Sequence, residues 1–325
     1  MKRWELMALI GGLAIAWSLA CYAQQPQSAP PKRVGLLASG PCPPSERWWS
    51  GRLAELGWSK GTIVFDCVST VGRLDELPAL ARELVSRNPD VLMAITYRFI
   101  RALKQETTTI PIVMLATWEP VRTGLVASLA RPEGNITGVV WFVFTAKQIQ
   151  LLKEIVPNLR RLALIGNGNP PPEMKQIGEE DWTLAASTLG FTWQVFEPHI
   201  VSDYGEIFAR IAADHFDAAL IDLDQFNLQN TKLIIELALR HRIPAVSPAS
   251  WMTKSGLLLG YGQDWVWSVT RASEYVDTIL RGAKPSDLPI EQATKVQLTI
   301  NLKTARALGV TVPPALLARA DEVIE

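Results

Sequence analysis

The chain has 325 residues, of which 48% are hydrophobic and 20% charged, and its 32 basic residues are balanced by 32 acidic ones. This composition excludes a disordered polymer and is typical of a globular protein with sizeable cores. The balanced charge provides no basic surface for nucleic acid, so no nucleic-acid partner is expected. The length is sufficient for two domains.

The first 23 residues have the order of a secretory signal peptide. A basic start precedes an uncharged apolar run, and Cys21-Tyr22-Ala23 resembles a cleavage site. We therefore predict a signal peptide over 1–23 and a periplasmic location. Two alternatives stay open. One is an uncleaved membrane anchor, because the apolar run is near the shortest length that spans a bilayer. The other is attachment of a lipid at Cys21.

Cys42 and Cys67 remain after the predicted cleavage. An even pair in an oxidising compartment favours a disulfide, and both residues lie near the carboxyl ends of the first two predicted strands. The bond requires Cα atoms within about 7 Å of each other. The alternative is two separate buried thiols.

Short apolar runs rich in β-branched residues alternate with amphipathic segments along the chain. The predicted strands are 33–38, 62–68, 90–95, 110–115, 136–142, 161–166, 191–197, 217–222, 243–248, 256–261 and 295–300. Several are continuously apolar, as strands covered on both faces require. Helices are predicted over 73–88, 146–158 and 203–215, among others. This alternation predicts an α/β protein with parallel sheets.

Two sheets are more ordinary than one very wide sheet for this number of strands. We predict two Rossmann-like lobes joined by a hinge. The first lobe is 32–142 plus 254–286, and the second lobe is 143–253 plus 287–325.

The stretch GLVASLARPEGNITGVV, residues 124–140, is placed at the point where the chain prepares to cross between the lobes. It is predicted to open as an apolar helix that Pro132 ends. Gly134 and Asn135 are expected to form a turn with positive φ before the next strand.

Residues suited to catalysis are few. The three histidines, His199, His215 and His241, are far apart in sequence, and none has the partners that a catalytic triad or metal site requires. We expect no metal, no cofactor and no enzymatic activity. Asp222 and Asp224 follow a predicted strand, where they could bind a cation, act as acid and base, or cap a helix.

Tryptophans are frequent near predicted strand ends. Trp118 and Trp141 lie at or just after such ends, where ligands bind in open α/β sheets. An indole there provides an apolar wall with one N–H donor.

Four segments together resemble one family: the leader, GLVASLARPEGNITGVV, QLLKEIVPNLRRLALIGNGNP, and the tail from Gly282 to Glu325. The chain resembles ABC-transporter substrate-binding proteins of the tryptophan/tyrosine-binding type. The resemblance implies a type I periplasmic binding protein fold and capture of a small molecule between two lobes. It also implies delivery of that molecule to a membrane permease. We expect the protein to act as a monomer.

The chain departs from the family pattern at the expected cleft. TYRFIR replaces a small GTP-like sequence after the third strand, and TWEPV carries Glu119 where relatives have Asp, with Trp118 as a bulky addition. These changes enlarge and aromatise the cleft. The identity of the ligand is therefore not inherited from better-known relatives.

The predicted ligand-binding residues come from strand ends of both lobes: Ser39, Thr96, Trp118, Glu119, Trp141, Asn167, Asn169, Asp222, Ser247 and Tyr261. Helix N-termini behind Thr96 and Glu119 are expected to receive a carboxylate, and Asp222 or Glu119 an ammonium. The expected ligand is an amino acid or similar zwitterion. The alternatives are an extracytoplasmic sensory subunit with the same fold, and an exported enzyme that uses Asp222 and Asp224.

Overall fold

The computed structural model of the protein describes residues 30–42, 50–71, 73–141, 144–166, 172–293 and 295–325. The predicted signal peptide with Cys21, and the predicted site residues Asn167 and Asn169, lie outside these ranges. Within them, no helix is both long enough and apolar enough to cross a bilayer.

Strands alternate with helices along the described chain, as the sequence predicts. The strands are β1 (Lys32–Ala38), β2 (Ile63–Ser69), β3 (Val91–Ile95), β4 (Ile112–Thr117), β5 (Ile136–Val140), β6 (Arg161–Ile165), β7 (Thr192–Phe196), β8 (Ala218–Ile221), β9 (Ala245–Ser247), β10 (Leu259–Gln263), β11 (Glu291–Gln292), β12 (Val296–Asn301) and β13 (Glu322–Ile324). The α-helices are α1 (Ser50–Glu55), α2 (Leu77–Ser86), α3 (Tyr97–Glu106), α4 (Thr145–Ile155), α5 (Pro172–Leu189), α6 (Asp203–Ala213), α7 (Gln225–Gln229), α8 (Thr231–Arg240), α9 (Ser250–Ser255), α10 (Trp265–Leu280), α11 (Leu302–Leu308) and α12 (Pro314–Leu317).

The first sheet has six strands in the order β11-β5-β4-β3-β1-β2, and every pair is parallel. Helices cover both faces. Met114 packs with residues of α2 and α3, and the adjacent Leu115 packs with residues of α10 on the other face. Because both strand faces are buried, β4 is continuously apolar.

The second sheet has seven strands in the order β13-β12-β10-β9-β8-β6-β7. All pairs are parallel except β10 with β12. Leu220 packs on the face that α4 covers, and Ile221 packs on the face that α6 and α8 cover. The predicted fold class is thus confirmed: two parallel-dominated α/β sheets, each with its own core.

The strand pairing draws the boundaries between the sheets differently from the predicted ranges. The predicted return at 254–286 is divided, because Leu259–Gln263 pairs with β9 and β12 of the second sheet and only α10 packs on the first. Glu291–Gln292, predicted in the second lobe, pairs with β5 of the first sheet. We call residues 30–141 and 265–293 the first lobe, and residues 144–263 and 295–325 the second lobe.

The turn before β5 forms differently from the prediction. No helix forms over residues 118–135, because the Pro120 carbonyl accepts the N–H groups of both Leu125 and Val126, at 2.9 and 3.2 Å. Positive φ occurs at Glu133 (54°) and Gly134 (77°) rather than at Asn135. The Asn135 side chain instead donates to two backbone carbonyls, which holds the turn against the end of α3.

Cys42 and Cys67 form a disulfide, with their Cα atoms 5.9 Å apart. Leu36, near the end of β1, is the direct neighbour of Cys67 on β2. The bond therefore ties the loop that follows β1 to β2, and this loop begins at Ser39, one of the predicted site residues.

Candidate functional site

The predicted site residues of the first lobe lie along one edge of its sheet. Ser39, Thr96, Trp118 and Trp141 follow the ends of β1, β3, β4 and β5, and Glu119 comes directly after Trp118. Because these strands are parallel, their carboxyl ends share one edge. Ligands bind at this edge in open α/β sheets.

The backbone along this edge is strained. Thr96 has φ 71° and ψ 155°, a region that is essentially reserved for glycine. Ala116 and Glu119 also have positive φ, at 54° and 47°. Strained residues cluster at ligand-binding sites because they persist only where the surrounding structure holds them. The strain is therefore independent support for a site at the ends of β3 and β4.

The two expected helix N-termini are not equivalent. α3 begins directly after Thr96, whose side chain makes no capping hydrogen bond to it, so a ligand carboxylate could accept from the N–H groups at its start. Behind Glu119 there is a turn instead, in which the Glu119 carbonyl accepts from the Thr123 N–H and hydroxyl. The expected helix behind Glu119 therefore does not form, and α3 is the one of these two helices that the structure contains.

The second lobe contributes Asp222, which follows β8. Its neighbour Gly166 follows β6 on the adjacent strand, and a Cβ at Gly166 would lie 3.2 Å from the Asp222 Cβ. A side chain at Gly166 would therefore press on Asp222, which would have to shift by a few tenths of an ångström. Asn167 and Asn169 come next in the chain, outside the described ranges.

Asn227 is a site residue that the sequence did not reveal. It is fully buried, and its amide nitrogen donates to the carbonyls of Ile165 and Asp222 and to the Asp224 carboxylate, at 2.9, 3.1 and 2.9 Å. Its carbonyl oxygen accepts from the Tyr204 hydroxyl at 2.7 Å. Asn227 thus holds the ends of β6 and β8 together beneath Asp222. The spacing Asp224-x-x-Asn227, with Asp224 capping α7, was the available signal.

Asp222 and Asp224 have different environments. Asp224 is occupied in capping α7 and in binding Asn227. Solvent reaches the Asp222 side chain, yet burial within the surrounding protein and the nearby Asp224 charge raise the pKa of Asp222 to about 6, against a donated hydrogen bond from the Leu223 N–H. Asp222 is therefore ionised at neutral pH and suited to accept a cationic group.

Two predicted residues are less accessible than Asp222. Ser247 is 1% exposed, and its hydroxyl lies 3.1 Å from the Met252 sulfur. Tyr261 is in the middle of β10, where its ring makes an edge contact with Phe144 at 5.6 Å and packs against the second-lobe core.

Tryptophans connect the lobes where the chain crosses between them. Trp141 lies at the first crossing, and its ring centroid is 6.1 Å from that of Trp265, at the start of α10. Trp265 is in turn 5.9 Å from Trp251 of α9 in the second lobe. We call these three residues the hinge tryptophans. Trp141 is 7% exposed and therefore packs at the hinge.

Polar bonds join the crossings as well. The buried Gln263, at the end of β10, donates to the Val140 carbonyl at 3.1 Å. Asp264, at the second crossing, pairs with Lys295, at the third, at 3.0 Å. Burial acts to raise the pKa of Asp264, but the Lys295 hydrogen bond and two backbone N–H groups lower it. Three chain crossings are thus linked side by side.

The two sheet edges face each other. Trp118 follows the end of β4, and its Cη2 atom would lie 3.8 Å from a Cβ at Gly178 on α5 of the second lobe. Met174, also on α5, packs against the first-lobe core. The two lobes are therefore joined at the hinge tryptophans and touch again through α5. Among the described residues, no cluster of three His, Cys, Asp or Glu side chains could hold a metal ion.

Comparison with known proteins decides the family. Residues 50–324 match the family described as ABC transporter substrate binding protein. The chain belongs to this family. A curated relative from Clostridioides difficile, named a tyrosine-binding protein, is 25% identical over 79% of this chain and 74% of its own.

Two solved structures share the fold of this family member over 90% of its length. One is a conserved domain protein from Vibrio cholerae, with a TM-score of 0.81 at 27% identity, 99% of which is covered. The other is an ABC domain from Streptococcus pneumonia in complex with L-Trp, with a TM-score of 0.81 at 22% identity, all of it covered. The family identifies the chain as a substrate-binding protein of ABC transporters rather than an enzyme.

Proposed function

We propose that this substrate-binding protein is the extracytoplasmic subunit of an ABC importer. It captures an amino acid with an aromatic or apolar side chain and delivers it, as a monomer, to a membrane permease. The family membership supports a transport role. The name of the tyrosine-binding relative and the L-Trp in the solved neighbour favour the amino-acid class.

The observation that carries the proposal is that the sheet edge of one lobe offers a carboxylate acceptor and the sheet edge of the other offers N–H donors. Asp222, ionised at neutral pH, provides an acceptor for an ammonium group on the second lobe. The start of α3 provides N–H donors for a carboxylate on the first lobe. A zwitterion carries the charge that each group favours, whereas a neutral sugar can form hydrogen bonds to both groups but carries neither charge.

Trp118 supports the aromatic or apolar preference within that class. It follows the same edge as Thr96 and lies against α5 of the other lobe, so a ligand side chain between the lobes would meet the indole face. Aromatic rings prefer offset or edge contacts with such a face.

Titration of the mature, exported protein tests this function. We expect L-Trp, L-Tyr or other large amino acids to change the intrinsic tryptophan fluorescence and to give heat in calorimetry. Analogues that lack the ammonium group should bind at least tenfold more weakly, since a charge-assisted hydrogen bond contributes about 1.5–3 kcal/mol.

The Asp222→Asn variant should bind amino acids more weakly by a similar factor. Glu236→Gln is the matched control, because Glu236 is an exposed carboxylate on the same lobe that pairs only with Arg240 in its own helix. If nucleosides or organic acids bind and no amino acid does, the proposed ligand class is wrong. Mass spectrometry of the molecule that co-purifies would then name the correct class.

A further inference from the structure

Helix α5 of the second lobe touches the first lobe at its N-terminal half, on side chains alone. Met174 packs against the first-lobe core. One turn later, Gly178 lies under the Trp118 ring. Beyond it, Glu180 and Asp181 form ion pairs with Arg122 at 2.6 and 3.5 Å. We call these six residues the clasp.

The clasp joins the lobes without any ligand atom. Arg122 belongs to the turn after β4, and its partners Glu180 and Asp181 belong to α5. Glu180 is held in place by Gln176, which donates to its second carboxylate oxygen at 3.0 Å. The contact is therefore a property of the protein and exists for any occupant of the cleft.

We propose that the clasp sets the fraction of the unliganded protein that is closed, and that it thereby adjusts the affinity for every ligand by the same factor. This inference rests on the proposed capture of a solute by closure of the two lobes. The apparent dissociation constant equals the intrinsic one divided by the closed fraction. A variant of the Arg122 ion pair changes that fraction alone, whereas Trp118, which the proposed function places against the ligand, would also change the ratio between ligands.

Gly178 determines how closely the lobes approach. A methyl group at this position meets the Trp118 ring at 3.8 Å, which is ordinary van der Waals contact. A larger side chain extends beyond this contact distance, and we expect it to displace the indole or push the lobes apart. Since both Ala and Leu favour a helix more than Gly does, neither substitution should unfold α5.

Small-angle X-ray scattering of the unliganded mature protein tests the clasp independently of ligand class. We expect a larger radius of gyration for Arg122→Ala and for Gly178→Leu than for the wild type, and no increase for Gly178→Ala. Arg82→Ala is the matched control, because Arg82 forms a two-bond pair with Glu106 inside the first lobe. It should scatter like the wild type.

Affinity provides the second measurement. Arg122→Ala should weaken two different bound ligands by the same factor, about two- to fivefold, as expected for an exposed ion pair. The charge swap Arg122→Glu with Glu180→Arg should recover part of this loss. Equal scattering of all variants, or unequal factors for the two ligands, would overturn the clasp while leaving the proposed ligand class intact. If the wild type binds no amino acid, the proposed function is contradicted instead. The scattering comparison would still test the clasp.

Discussion

The lobes meet at two ends that are built differently. At the hinge, packed tryptophan rings and hydrogen bonds join three chain crossings, with Trp141 7% and Gln263 1% exposed. At the clasp, Arg122, Glu180 and Asp181 retain side-chain exposures of 40, 53 and 41%. Buried contacts contribute several kcal/mol each, and exposed ion pairs contribute about 0–1 kcal/mol. One end therefore works as a fixed pivot and the other as a contact that can release.

Removal of a hinge ring should have the largest effect. Trp141→Ala deletes a buried indole that packs on Trp265, and we expect a loss of about 3–5 kcal/mol in the free energy of unfolding. Chemical denaturation followed by circular dichroism measures it. Trp141→Phe keeps a ring in the hinge and should recover much of the loss. A loss below 1 kcal/mol for the Ala variant would show that the pivot does not depend on this ring.

The hinge hydrogen bond should contribute less. Gln263→Leu removes the donor to Val140 and leaves that carbonyl without it, which should cost about 1–3 kcal/mol. The net cost should be at the low end, because the Gln263 side-chain oxygen is itself buried without a partner among the described residues. Gln148→Leu removes the matching bond to the Tyr261 carbonyl within the second lobe and serves as the comparison. It should destabilise equally but leave ligand-driven closure unchanged.

The sequence predicted the sheets well and the site only in part. Continuous apolar runs such as β4 report burial on both faces, and this is a local property. The choice of sheet for β10 is not determined by its own residues. Its run is equally suited to either sheet, and its pairing is decided by β12, which comes later in the chain and runs antiparallel to it.

The site residues divide in the same way. The positions of Asp222 and Thr96 at strand ends could be predicted because the carboxyl ends of parallel strands meet at one edge of a sheet. Ser247 could not be excluded, since only packing shows that its hydroxyl lies against Met252. Asn227 was missed because its role is to bind two backbone carbonyls from distant strands. The clasp depends on how the lobes are oriented, which no local pattern encodes.

Asp222 lies between the two ends and should respond to pH without affecting either. Folding raises the pKa of its carboxyl to about 6, so the folded state holds the proton more tightly than the unfolded chain. Protonation of Asp222 therefore contributes to the free energy of unfolding at a pH below the pKa of the unfolded chain. This contribution is lost as the pH rises through 6. Asp222→Asn should therefore stabilise the protein at pH 7.5, by on the order of 1 kcal/mol after allowance for solvent screening. The gain should vanish near pH 4 in thermal unfolding, and a gain that is constant with pH would contradict the raised pKa.

The smallest effect should come from the clasp ion pair. A double-mutant cycle with Arg122→Ala and Glu180→Ala should give a coupling energy of about 0.2–1 kcal/mol at low ionic strength. Because both groups are exposed, 0.5 M salt should remove most of it, whereas the contribution of Gln263 at the hinge should not change. The coupling is best measured on the opening equilibrium, through ligand affinity at two salt concentrations, since the ion pair is broken whenever the cleft opens. If the coupling survives high salt, the clasp is shielded from solvent and resembles the hinge, and the lobes would then be held closed at both ends.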